Sequence, residues 1–285
     1  MPLRVLVDSD ATITGPIFTD ANEEALDTTG TPTVTVVSRV TSDTLTAPTV
    51  TAETGAGIYT CALTAAAHTG EVDILDLTWT GTVASKTRVY RQTVEVVGGF
   101  YLSVPELRQT TTLANASTRS ADQLRKFRTE GEDIIETARG VAYVPRCAVE
   151  TFGPDDVVRL RHRHVRSLLA VRVDGVAKTV ADYDVDPVTR IVSGSLPSSA
   201  TVVVAYSHGY TTPPLAATEA LREYVRAKAV MDSSSANRNP SSVTNLATGE
   251  TYRFTTADAR FGRFTGIEEV DARINMLDDE RVFLA

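Results

Sequence analysis

The chain has 285 residues, which suits two or three domains, and its 42% hydrophobic and 22% charged content is that of a protein able to bury a core. A formal net charge of -8 argues against a general nucleic-acid binder, which needs a basic face. No apolar run reaches the roughly 18 residues of a membrane span, and M-P-L-R-V-L-V-D-S-D has neither the apolar core nor the cleavage site of a secretory signal.

The first hundred residues are rich in threonine, valine and glycine and lack helical periodicity. P-L-R-V-L-V, T-V-T-V-V-S-R-V, G-I-Y-T-C-A-L, E-V-D-I-L-D-L-T-W-T and T-R-V-Y-R-Q-T-V-E-V-V read as strands separated by turn clusters. Val72 and Ile74, then Leu75, Leu77 and Trp79, alternate with one slip. The pattern predicts an all-β sandwich of immunoglobulin-like architecture over 1–97, without the Cys…Trp…Cys signature and with Trp79 in its core. Gly98-Gly99 ends it, and Ser103 with Pro105 opens a short helix over about 103–113.

From Ser120 to Arg139 the apolar positions Leu124, Phe127, Ile134, Ile135 and Ala138 fall at helical spacing, with Gly131 on the same stripe. Ser120 and Gln123 form a capping box, and Gly140 supplies the left-handed stop. Arg125, Arg128, Glu132, Asp133, Glu136 and Arg139 make a charged opposite face. A β insertion is expected over about 141–208, with V-A-Y-V leaving the helix as a strand, then V-V-R-L-R, S-L-L-A-V-R-V, R-I-V-S-G and T-V-V-V-A-Y-S-H. Asp174-Gly175 reads as a hairpin turn. A helix over about 213–231, a polar extended segment over about 233–266 and a last helix over about 267–277 complete the chain. The predicted fold class is therefore multidomain α+β: the sandwich over 1–97, then a helical core with a β insertion over 98–285.

Two stretches invite a chemical reading. His162 and His164 in R-L-R-H-R-H-V-R share a strand face at a spacing that a metal could use, but no third ligand follows, and the flanking arginines oppose a cation. That basic run could instead meet a phosphate backbone or an acidic surface. In D-Y-D-V-D, residues 182–186, Pro187 and Ser193 stand where a calcium loop needs glycine and glutamate, so surface aspartates are the expectation. Nucleophile-elbow, phosphate-loop and C-x-x-C motifs are absent, so no enzyme activity and no cofactor are expected. Cys61 and Cys147 are distant and read as free thiols of a chain made in a cytoplasm.

E-T-A-R-G-V-A-Y-V-P-R, V-R-S-L-L-A-V-R-V-D-G, V-V-V-A-Y-S-H-G-Y-T-T-P-P and the closing G-R-F-T-G-I-E-E-V-D-A-R-I-N together resemble the head-to-tail adaptor (connector) proteins of long-tailed siphophages, of the type found in phages of actinobacteria. V-V-G-G-F-Y-L-S-V-P-E-L-R resembles the junction with the fused N-terminal Ig-like domain of some members. Where members often carry Cys-Gly before V-A-Y-V-P-R, this chain has Arg139-Gly140. The resemblance implies a structural virion protein at the phage neck. It would form a homo-dodecameric ring between the portal protein and the stopper or tail-completion protein, enclosing the genomic DNA for ejection without reading its sequence. In that setting Arg125, Arg128, Glu132 and Glu136 would face the neighbouring copy, and Tyr252, Phe254, Phe261, Arg263 and Phe264 would meet the portal, since aromatic and arginine side chains dominate interface energetics. Alternatively those aromatics fold back on the chain's own core. The other reading of the whole is a virion decoration or tail protein whose Ig-like domain binds a surface or glycan.

Overall fold

The computed structural model describes residues 3–65, 70–110, 113–114, 119–154, 157–233, 242–244, 251–253 and 264–277. The chain forms two compact units, each built from separated stretches: Pro2–Gly99 with Pro145–Gly209, and Phe100–Val144 with Tyr210–Ala285. The β insertion is thus grouped with the N-terminal sandwich, whereas the sequence reading places it with the helices.

Among the described residues seven strands make the sandwich: β1 (Leu3–Leu6), β2 (Ala11–Thr14), β3 (Thr33–Ser38), β4 (Thr49–Ala52), β5 (Tyr59–Leu63), β6 (Asp73–Val83) and β7 (Lys86–Val97). One sheet runs β1-β7-β6-β3, with β1 parallel to β7, and the other β2-β5-β4. Between them Ile13, Phe18, Tyr59, Cys61 and Leu63 meet Val36, Leu75, Leu77, Trp79, Val94 and Val96. Trp79 is fully buried in this core, as its alternation predicts, and its Nε1–H donates to Gln92 Oε1 at 3.2 Å. Strands β2 and β4 were not legible in the sequence: both are four residues long and neither is apolar throughout.

Four further strands of the same unit form an antiparallel sheet in the order β10-β9-β13-β8: β8 (Arg146–Phe152), β9 (Val165–Val173), β10 (Val176–Lys178) and β13 (Val202–His208). A short pair, β11 (Asp184–Val185) and β12 (Val192–Ser193), lies beside it in sequence. Asp174 and Gly175 both take positive φ, 50° and 78°, as the tight hairpin between β9 and β10 requires. Two expectations are corrected. V-A-Y-V, residues 141–144, is a series of bends, with the strand beginning only at Arg146, and V-V-R-L-R forms a single bridge, Arg159 to Ile191.

This sheet has two apolar faces. One packs Ala148, Val171, Val173, Val202, Val204 and Tyr206 beneath Val158, Leu160 and Val192. The other sets Cys147 and Ala205, with Val149, Leu169 and Ala170, against Val40, Val72 and Ile74 of the sandwich. The slip in the β6 pattern therefore has a cause: Leu75, Leu77 and Trp79 face the sandwich core while Ile74 faces the insertion. Arg172 adds polar contacts to this seam, donating to the carbonyls of Val40 and Arg39 at 2.8 Å each.

The second unit holds α1 (Val104–Arg108), α2 (Ala121–Arg139), α3 (Leu215–Ser233), α4 (Glu268–Met276) and a small hairpin of β14 (Ser242–Thr244) and β15 (Thr251–Arg253). Ser103 and Ser120 each close a capping box, and Gly140 ends α2 at φ 70°. Helix α1 stops well short of the predicted residue 113. Helices α2 and α3 run antiparallel: Arg119 bonds the carbonyl of Ala229, while Glu130 meets Lys228 at 2.8 Å and Tyr224 at 2.5 Å. Gly131 allows their close approach, since a Cβ there would lie 2.6 Å from Leu221 Cδ1 and 2.8 Å from Tyr224 Cδ1. The carboxylate of buried Asp271 takes the amides of Thr265 and Gly266, fastening the first turn of α4 to the segment before it.

Candidate functional site

Helix α2 carries the four charged residues expected to face a neighbouring copy, and the structure separates them. Arg125 is exposed and pairs with Asp122 at 2.6 Å. Arg128 and Glu132 are instead buried, at 4% and 0% exposure, within their own unit. The Arg128 guanidinium lies 3.4 Å from the Phe100 ring centroid and donates to the carbonyl of Leu102, and Glu132 Oε1 accepts the backbone N–H of Tyr101 at 3.0 Å. Glu136 accepts the Tyr101 hydroxyl at 3.1 Å. The centre of the supposed outward face is thus covered by the 100–102 segment. Burial of these charges is tolerated because each is met by a backbone group or an aromatic face. Arg139, also on that face, is buried and bonds the carbonyl of Ile274.

Of the five aromatic and arginine residues assigned to a portal contact, Phe254, Phe261 and Arg263 lie outside the described residues. Tyr252 sits in β15. Phe264 packs against the helical core with the Arg139 guanidinium 5.9 Å from its ring centroid, so this one ring folds back on its own unit.

The histidines are regrouped. Residues 161–164 form bends, and His164 takes φ 54°, so His162 and His164 do not share a strand face. His162 instead stacks on His208, ring centroids 4.0 Å apart. Its Nδ1 lies 2.8 Å from the Tyr206 hydroxyl, which itself bonds Glu150 Oε1. Burial, together with the nearby His162 and Arg146, pulls His208 down to about 3, so it is neutral at ordinary pH. Burial and the bond to Glu150 raise the Tyr206 phenol. Glu150 is pushed up by burial, but hydrogen bonds from His162, Tyr206 and the Arg161 amide outweigh that and hold it below the usual carboxylate range. The result is a neutral imidazole, His208, stacked on His162, which with Tyr206 meets the Glu150 carboxylate, and no serine or cysteine nucleophile is among the residues that form it. Among the described residues no group of three or more His, Cys, Asp or Glu could hold a metal. Sequence showed Tyr206 and His208 two apart on one strand; the register of β13 against β8 and β9 that brings Glu150 and His162 to them had no local signal.

Asp182, Asp184 and Asp186 are exposed. Asp186 accepts the amides of Val188 and Thr189 at 2.8 Å each, which hold its carboxyl below the usual range, the signature of a turn cap. Both cysteines are free and buried; burial pushes the Cys61 thiol up to about 11 and raises Cys147 further.

A buried charge cluster that the sequence reading missed joins three strands of the β unit. Glu95 Oε2 on β7 lies 3.0 Å from Arg4 Nε on β1 and 3.4 Å from Arg146 Nη1 on β8, with side-chain exposures of 13%, 4% and 3%. The only hint was one carboxylate inside T-V-E-V-V.

No protein-family model matches the sequence, and no curated protein matches it. A solved chain from the virion of a native gene transfer agent particle is similar at 14% identity and a TM-score of 0.38, covering 49% of this chain and 84% of that one.

Proposed function

We propose that this protein is a structural component of a phage virion, an adaptor that forms a ring at the neck between portal and stopper or tail-completion protein. The observation that carries the reading is the construction of the helical unit. The pair α1–α2 and the pair α3–α4 share one core, although a stretch of 65 residues, Pro145–Gly209, that carries the second sheet separates them in sequence. That is the order of elements which the resemblance to the siphophage adaptors implies. The chemistry agrees: every buried charge described above is used to hold the fold, and the residues of the His162–His208 cluster include no serine or cysteine nucleophile. A ring of such copies needs a heterologous contact whose rotation closes. The resemblance gives twelve copies, and at -8 each the assembly would be strongly acidic around a DNA channel, which favours sliding over binding.

Cryo-electron microscopy of the virion neck tests the assignment. Density for this chain between capsid and tail, and unjoined heads and tails when the chain is removed, is the expected result. A position on the capsid lattice or tail tip would replace the adaptor reading with the decoration or tail reading.

A further inference from the structure

The β unit carries two exposed loops of opposite charge, and among the described residues the one arginine ion pair of the basic loop is Arg161 with Glu150 at 3.9 Å, outside the acidic loop. The segment Arg159–Arg166 presents Arg159, Arg161 and Arg166 to solvent with Arg163 half-buried. Among the described residues the side chains of Arg159, Arg163 and Arg166 have no hydrogen bond or ion pair. The backbone under them is fixed: Leu160 N–H donates to Arg190 O at 3.0 Å, Arg190 Nη1 donates to Arg161 O at 2.8 Å, and Arg161 N–H donates to Glu150 at 3.1 Å.

The acidic loop lies in the sandwich, at Asp20–Asp27. Asp20 Oδ1 accepts the amides of Asn22 and Glu24 at 2.7 and 3.0 Å, Asp27 accepts that of Gly57 at 2.9 Å, and Leu26 N–H donates to Phe18 O at 3.0 Å. Glu23 and Glu24 stand exposed on this braced turn, and neither carboxylate has a partner among the described residues. Leu26 beside them is also exposed, at 39%.

From these we infer that the basic segment Arg159–Arg166 of one copy docks on the acidic loop Asp20–Asp27 of the next. The inference rests on the ring reading and names its lateral contact. Two different, complementary patches on one subunit make a head-to-tail interface, the kind that generates rings. The net charge of -8 favours a second copy over nucleic acid as the occupant, because each copy brings its own acidic loop while the net charge disfavours approach of a polyanion. It also replaces a contact through α2, whose central charges are buried. Both loops are braced before contact, so little ordering entropy is lost on docking.

The test uses the full chain in three forms: wild type, R159E/R163E/R166E, and E23R/E24R, all checked for folding by circular dichroism. Sedimentation velocity is run at low and physiological salt. Wild type is expected to self-associate, less so as salt rises. Each variant alone is expected to stay monomeric, since its two patches now repel. An equimolar mixture of the two is expected to recover assembly, because the swapped patches are complementary again. Wild type that remains monomeric at low salt, or a single variant that assembles like wild type, overturns the inference. So does unchanged assembly accompanied by loss of duplex-DNA retention in the arginine variant, which would give the segment to nucleic acid. Neck imaging judges the ring reading separately.

Discussion

Replacing Glu95 by glutamine is the sharpest test of how the β unit is held together. The substitution keeps size and shape but leaves the guanidiniums of Arg4 and Arg146, exposed by only 4% and 3%, without their shared anion. Removing one partner of a buried ion pair costs about 3–5 kcal/mol, chiefly because the remaining charge stays out of water with its counter-ion gone. For a unit of this size each kcal/mol is worth about 2–4 °C, so the melting temperature is expected to fall by roughly 6–20 °C. Scanning calorimetry with urea titration as a check would read it. A second variant, R4M/E95L/R146M, removes all three charges and is expected to recover much of the loss, since apolar replacement of a buried ionic cluster is often near neutral. A loss below about 1 kcal/mol for Glu95→Gln is the value of an exposed pair and would refute the reasoning.

Gly131→Ala brings a methyl to within 2.6 Å of Leu221 Cδ1 and 2.8 Å of Tyr224 Cδ1, both side chains being fully buried. Overpacking of about 1–3 kcal/mol then exceeds the roughly 1 kcal/mol that alanine gains over glycine in a helix, so chemical denaturation should show a net loss. Acidification should weaken the β unit. The unfolded chain takes up a proton at His208 near its ordinary 6.5, whereas the folded chain resists until about 3, so stability present above 6.5 is lost as pH falls through that window. Between pH 6.5 and 4.5 the loss is up to about 2.3 kcal/mol. His208→Phe, which can stack on His162 without protonating, should flatten the dependence in urea titrations at the two pH values.

What the sequence made legible follows the range of the interactions. The Ser103 cap, the capping box at Ser120, the Gly140 stop, the Asp174-Gly175 hairpin and the burial of Trp79 all depend on residues within a few positions, and all are present. Arg128 and Glu132 were read as surface because charge on a helix usually is. Their burial depends on Phe100 to Leu102 returning over α2, a contact with no periodic signal. His162 could be paired with His164 by counting, but its true partner His208 is 46 positions away across a sheet register. The slip at Ile74 was visible in the sequence, and its meaning was not: a strand packed on both sides presents apolar residues at both parities.

A sheet packed on both faces limits what the sandwich can be for. Its β1-β7-β6-β3 sheet gives Ile74 to the insertion on one side and Leu75, Leu77 and Trp79 to its own core on the other. Part of its outer face is therefore structural contact rather than open surface, which counts against a detachable module dedicated to an external ligand. The insertion depends on it in turn. A chain beginning at Gly98 would uncover Cys147, Val149, Leu169, Ala170 and Ala205, and would leave Arg146 without Glu95 and Arg172 without its two carbonyls. Residues 98–285 expressed alone are thus expected to aggregate or to bind a hydrophobic dye. A monodisperse, dye-silent fragment with the melting temperature of the full chain would show that the sandwich is an appendage. The sandwich and the insertion also carry the acidic and basic loops respectively. Joining them into one body fixes the angle between the two patches, which is the quantity that decides whether head-to-tail docking closes a ring or runs on as a filament.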